Sequence, residues 1–61
     1  MPTVVAAKSI TLHEQPTYNS NEPASVQAGR SYKVVNDKND EWLQIRASNG
    51  VIAYIHRNNV R

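Results

Sequence analysis

The chemistry open to this 61-residue chain rests on few side chains. His13 and His56 are its histidines, Glu14, Glu22, Asp37, Asp40 and Glu41 its carboxylates, and there is no cysteine. Without thiols, disulfides, thiolate metal sites and thiol nucleophiles are excluded. No Ser, His and Asp residues stand in a recognisable local pattern, although triads assemble in space rather than in sequence. Two histidines without a neighbouring ligand cluster do not compose a metal site, so no metal and no cofactor is expected. The glycines, Gly29 and Gly50, lack the neighbours of a phosphate-cradling loop. Each histidine is therefore expected at the surface, and no catalytic residue is assigned.

Recognition is the better prospect. Trp42, Tyr18 and Tyr54 are large amphipathic rings, which give contact energy at little entropic expense. Trp42 has two readings: a cover packed on the sheet, or a recognition platform. Tyr18 is either a loop anchor or a ring that closes over the same area. Asp40 and Glu41 stand beside Trp42 and suit a cationic or amide-rich peptide. The candidate ligand-binding set is thus Trp42, Tyr54, Tyr18, Asp40, Glu41 and His56.

The elements that must position these residues read as short strands. No stretch shows the apolar spacing of an amphipathic helix. Val4-Val5-Ala6-Ala7 begins a first strand. Ile10 and Leu12 alternate with Ser9, Thr11 and His13. Tyr32–Val35 is aromatic and β-branched. Trp42–Arg46 alternates, placing Leu43 and Ile45 on one face and Trp42, Gln44 and Arg46 on the other. Val51–Ile55 reads as a strand covered on both faces, with Tyr54 out of phase with Val51, Ala53 and Ile55. The predicted core is Val5, Ile10, Leu12, Val26, Tyr32, Val34, Leu43, Ile45, Val51, Ala53, Ile55 and Val60.

Turn chemistry separates these runs. Gln15–Pro23 is polar, rich in Asn and bracketed by prolines, which cannot donate to a ladder, so it reads as a long early loop. Gly29 permits a positive φ in a tight connection. Asn36–Asp40 has the composition of a hairpin loop. Asn49-Gly50 between apolar strands predicts a type I′ turn, with Ser48 lengthening the connection by one residue. About five short strands of this kind close most economically into a small all-β barrel occupying residues 1–61 as one domain, with its core over about 4–60. Such a barrel is filled by its own side chains, which leaves no volume for a substrate pocket and argues against an enzyme.

Seven Lys and Arg face five Asp and Glu, for a formal charge of +2. The cations are scattered along the chain rather than gathered in a tract. A basic β-barrel binding nucleic acid through Lys8, Lys33, Arg46 and Arg57 is the alternative reading, provided these residues meet in space. A small structural or host-interacting assembly protein is another. The longest apolar run, Val51–Ile55, is five residues, so no membrane span is expected. No basic segment and no leader-length apolar stretch follows Met1-Pro2, so a secretory leader is not expected. A complete chain of this kind would work in the cytoplasm; a module of a longer protein would work in the envelope or outside the cell.

The order Ile10-Thr11-Leu12-His13-Glu14-Gln15-Pro16, Val26-Gln27-Ala28-Gly29, Tyr32-Lys33-Val34-Val35, Glu41-Trp42-Leu43-Gln44-Ile45-Arg46, Asn49-Gly50 and Ala53-Tyr54-Ile55-His56 resembles the bacterial Src-homology-3 (SH3) type domain. That family typically reads Leu-Asn-Val-Arg-x-Gly-Pro, later Leu-x-x-Gly, then Trp-Tyr-x-Val, Asn-Gly and Gly-Trp-Val. Gly29, Trp42 and Asn49-Gly50 carry the most specific part of the likeness, while His13, Gln15 and Ala53-Tyr54-Ile55 depart from it. The resemblance implies an SH3-like barrel with a short 3-10 turn near residues 57–59. It also implies a non-catalytic module that binds a protein segment or a peptidoglycan peptide in a shallow groove. That groove would run between the early loop and the hairpin after Tyr32–Val35, with Trp42 as its floor. The tail Tyr54–Val60 is also similar to the end of the eukaryotic SH3 domain. His56 and Asn59 replace the proline and tyrosine that line its polyproline groove, so polyproline binding is not expected.

Overall fold

The computed structural model describes residues 2–61. Its strands are β1 (Thr3–Val5), β2 (Ile10–Leu12), β3 (Ala24–Val26), β4 (Ser31–Asn36), β5 (Trp42–Arg46) and β6 (Ile52–His56), followed by a 3-10 turn at Arg57–Asn59. Six strands form where about five were expected. The additional one is β3, whose three residues lie between Pro23 and Gly29 and offer too short an alternation to be read alone.

The strands form two antiparallel sheets, β1-β4-β5-β6 and β2-β3. Reciprocal bonds join them. His13 N–H donates to the Tyr54 carbonyl (2.9 Å) and Tyr54 N–H to the His13 carbonyl (2.7 Å), so β2 runs on into β6. On the far edge, Val5 and Arg61 exchange backbone bonds and Ala6 bridges Val60, which straps the C-terminus along β1. Pairing both edges protects them and closes the small SH3-like barrel.

Leu12, Ile45 and Ile55 are the largest fully buried side chains, joined inside by Val26, Tyr32, Val34, Leu43 and Ala53. Small residues complete the centre. Ala6 and Ala47 are buried, and Ala6 takes the interior place expected of Val5, because Val4 and Ala6 share the inward phase of this segment. The buried Tyr32 hydroxyl accepts from Gln27 N–H (2.9 Å), so its polar end is satisfied beside the start of the β3–β4 connection.

Two further expectations are corrected. The Val51–Ile55 run is not covered on both faces: Ile52 is 42% exposed and only Ala53 and Ile55 are sealed. The β5–β6 connection is not type I′, which needs positive φ at both central residues. Among the described residues positive φ occurs only at Gly29 (85°) and Gly50 (86°), so Asn49 keeps a negative φ. Gly50 N–H donates to the Ala47 carbonyl (2.9 Å), and Ala47 N–H to that of Val51 (2.8 Å). Ser48 and Asn49 therefore make a type I turn with Gly50 as the left-handed residue that restores the ladder, the usual three-residue hairpin loop. The extra residue, Ser48, is what changes the turn type.

Candidate functional site

Alternation in β5 sends Leu43 and Ile45 inward and Trp42 to the outer face of the four-stranded sheet. Trp42 pairs with His56 and Gln44 with Tyr54, so these side chains share that face. The His13–Tyr54 pair adds His13 from the next strand. Trp42 itself is anchored through its backbone: the Asn39 side-chain oxygen accepts from Glu41 N–H (2.8 Å) and Trp42 N–H (3.1 Å), an Asx arrangement that ends the hairpin loop.

The long loop supplies the last ring. Glu14 N–H donates to the Asn21 carbonyl (2.8 Å) and Asn21 Nδ2 to the Glu14 carboxylate (3.2 Å), which draws the ends of the loop together. Ser20 Oγ accepts from Gln15 N–H (3.2 Å) and donates to the Thr17 carbonyl (3.0 Å). The loop thus satisfies its own polar groups, as a compact Ω-type loop does. Its apex lays Tyr18 over Trp42, with ring centroids 4.9 Å apart and planes at 64°.

Four rings meet here. His13 stands edge-on to Tyr18 (5.4 Å) and to Trp42 (5.7 Å). His56 stands edge-on to Trp42 (5.2 Å) and lies nearly parallel to Tyr18 (6.0 Å, 17°). Such offset and edge contacts are the preferred aromatic geometries. Trp42 is consequently only 6% exposed, whereas Tyr18 is 64% exposed. The indole lies outside the aliphatic core but under a roof, so the ring it was expected to offer to solvent is offered by Tyr18. Tyr54 is half-buried on the same face, and Asp40 and Glu41 are exposed at the loop before Trp42.

His13 is a second correction. Expected at the surface, it is 8% exposed, and its Nδ1 is buried with no hydrogen-bond partner. Period two placed it on the outer face correctly; the loop that returns over it, eleven residues of sequence from 13 to 23, produces the burial. His56 is half-buried and its Nδ1 accepts from Asn58 N–H (3.2 Å), capping the 3-10 turn.

The four cations of the nucleic-acid alternative do not gather as a set. Arg57 is committed to structure: Nε donates to the Asn39 carbonyl (3.0 Å) and an Nη to the carbonyls of Asp37 (2.6 Å) and Asn39 (2.7 Å). It also stands at the opposite end of the β5–β6 hairpin from Arg46, since Arg46 pairs with Ile52 and Trp42 with His56. Lys8, Lys33 and Arg46 are exposed.

Two open depressions, of about 540 and 390 Å³, lie against the β2–β3 ribbon, the second reaching Ser48 and Asn49. Neither is lined by Trp42, Tyr18 or His56, and the larger has no aromatic or ionisable side chain in its wall. Concavity and recognition chemistry are thus separated in this molecule. The larger depression offers the polar side chains of Ser9, Thr11, Ser25 and Gln27, but the rings carry the stronger claim to ligand contact, because large aromatic side chains supply most of the contact energy at binding surfaces.

A family model described as the bacterial SH3 domain matches residues 8–61. The chain belongs to that family, which is one of binding modules. No curated protein and no solved structure matches it.

Proposed function

We propose that this domain is a non-catalytic binding module that takes an extended peptide, from a protein or from peptidoglycan, on the outer face of β5 and β6. One observation carries the reading. Tyr18, His13, His56 and Trp42 form an aromatic cluster outside the core, roofed by an exposed tyrosine, with a buried imidazole nitrogen left unpaired inside it. An unpaired buried polar atom costs about 1–3 kcal/mol and is rare in folded proteins, and a hydrogen-bonding ligand would recover that cost.

Tyr18 and His56 make first contact, and Asp40 and Glu41 at the rim favour amines and amides. If the loop apex swings aside, the ligand gains the Trp42 face and a hydrogen bond to His13 Nδ1. A patch of this size gives affinities of about micromolar or poorer, so several copies or a tethering domain would strengthen attachment. The test is NMR titration of the amide spectrum with muropeptides and with unrelated peptides of equal charge. Shifts centred on Tyr18, Trp42 and His56, abolished by Tyr18→Ala, are expected. Shifts confined to the β2–β3 ribbon would move the site to the depressions and overturn the reading.

A further inference from the structure

Lys38 and Arg57 sit with the acidic 37–41 loop, and Glu22 shares a depression with Ser48 and Asn49, but the outer face of the four-stranded sheet carries cations and no carboxylate. Every acidic residue lies in one of two loops, residues 13–23 or 37–41, and none lies on β1, β4, β5 or β6. The strands of the four-stranded sheet carry Lys33 and Arg46 instead. Val34 pairs with Ile45, so the next rung of the same ladder sets Lys33 against Arg46 on the outer face. Thr3 pairs with Lys33, and the reciprocal Val5–Arg61 bonds put Arg61 on that face beside β1. Arg30 joins the rim, its carbonyl accepting from Ala6 N–H (3.0 Å), and Lys8 follows Ala7, which is tied to Asn59 (2.8 Å).

From the Arg61 segment across β1 and β4 to Arg46 there are three strand spacings, about 14 Å. Arg46 is four residues along β5 from Trp42, also about 14 Å, so the acidic 37–41 loop lies beyond the opposite end of the strand. With a screening length of about 8 Å at physiological salt, the carboxylates there do little to cancel the field at the basic end.

We propose that this basic end, Lys33, Arg46 and Arg61 with Arg30 and Lys8 at its rim, is a second binding surface that takes the phosphate backbone of a nucleic-acid duplex. The argument is independent of the peptide site. Guanidinium groups match phosphate oxygens in a bidentate manner, and most of the patch is arginine. Lys33 and Arg46 are cross-strand neighbours and Arg61 lies three strands and two residues away from Arg46, an elongated set that fits the spaced phosphates of a linear polyanion better than the plane of a lipid surface. Trp42, Tyr18, His13 and His56 gather at the other end of the face and Tyr54, opposite Gln44, is half-buried, so contact at the basic end is with phosphates, without sequence readout.

The test is fluorescence anisotropy with a short labelled mixed-sequence DNA duplex between about 50 and about 200 mM salt, beside vesicles rich in phosphatidylserine. Contact with three to four phosphates predicts a slope of log K against log salt of about −3. Lys33→Glu with Arg46→Glu should lower affinity at least about tenfold at the lowest salt. The pair Lys33→Gln and Arg46→Gln should show a smaller loss and serves if charge reversal impairs folding. Tyr18→Ala should leave duplex binding unchanged, which separates this surface from the peptide site. A slope flatter than about −1, unaltered binding by both double variants, or capture by vesicles in preference to the duplex would overturn the proposal.

Discussion

The two faces of β5 exclude water almost equally and by different means. On the inner face, Leu43 and Ile45 are sealed by side chains from strands that ladders hold in register. On the outer face, Trp42 is sealed by Tyr18 at the apex of a loop whose hydrogen bonds are mostly its own. Exposures of 4% for Leu43 and 6% for Trp42 therefore describe different situations. Opening the first requires breaking the barrel. Opening the second requires displacing one loop apex, the kind of local event that binding sites draw on. Burial alone does not separate core from site; what does the covering separates them.

The contrast can be broken most forcefully from inside. Ile45→Ala removes a fully buried side chain and is expected to cost about 2–5 kcal/mol. A domain of this length has about 3–9 kcal/mol of stability in total, so denaturant titration should find the variant partly or wholly unfolded. A cost below about 1 kcal/mol would mean the inner face is no better sealed than the outer one.

Gly50→Ala tests the turn that sets the β5–β6 register. Nothing lies within 4 Å of the added Cβ, so the penalty is that of the left-handed backbone alone. It should be about 1–2 kcal/mol, read as a fall in the denaturation midpoint with unchanged m-value. Arg57→Gln removes the guanidinium that gathers the Asp37 and Asn39 carbonyls beneath the aromatic end. A loss of about 1 kcal/mol is expected, with amide shifts confined to residues 37–42. Shifts spreading through β5 and β6 would instead make that loop part of the cooperative core.

The mildest change sharpens the comparison most. Tyr18→Ala should lower stability by less than about 1 kcal/mol, since the side chain is largely exposed. The emission of Trp42, the chain's single tryptophan, should nevertheless move to longer wavelength as water reaches it. An unchanged spectrum would show that His13 and His56 seal the indole without the loop.

Much of the barrel was legible because its strands are half-buried and their pattern is local. Trp42–Arg46 and Tyr32–Val35 alternate cleanly, and both appear as strands. The early loop between prolines and the 36–40 hairpin were readable from their turn chemistry, which is equally local, whereas the 3-10 turn at Arg57–Asn59 came from the family resemblance. β3 was not readable, because three residues hold too little pattern. The type I turn at Ser48-Asn49 was misjudged because one additional residue changes the favoured geometry. At the site, the side of the sheet that each ring takes followed from period two. The contact of Tyr18 with Trp42 did not, since 24 positions separate them in sequence.

By itself the sequence determined which residues alternate, where the backbone must bend and which side of its own strand each ring takes, because these depend on neighbours one to four positions apart. The tertiary structure decided the rest. It chose Ala6 over Val5 for the interior, buried His13 without a partner for Nδ1, committed Arg57 to a loop, and drew Lys33, Arg46 and Arg61 onto one face away from the acidic 37–41 loop. Those outcomes depend on closure of the barrel, which joins segments distant in the chain and sets the field and the cover that each side chain meets.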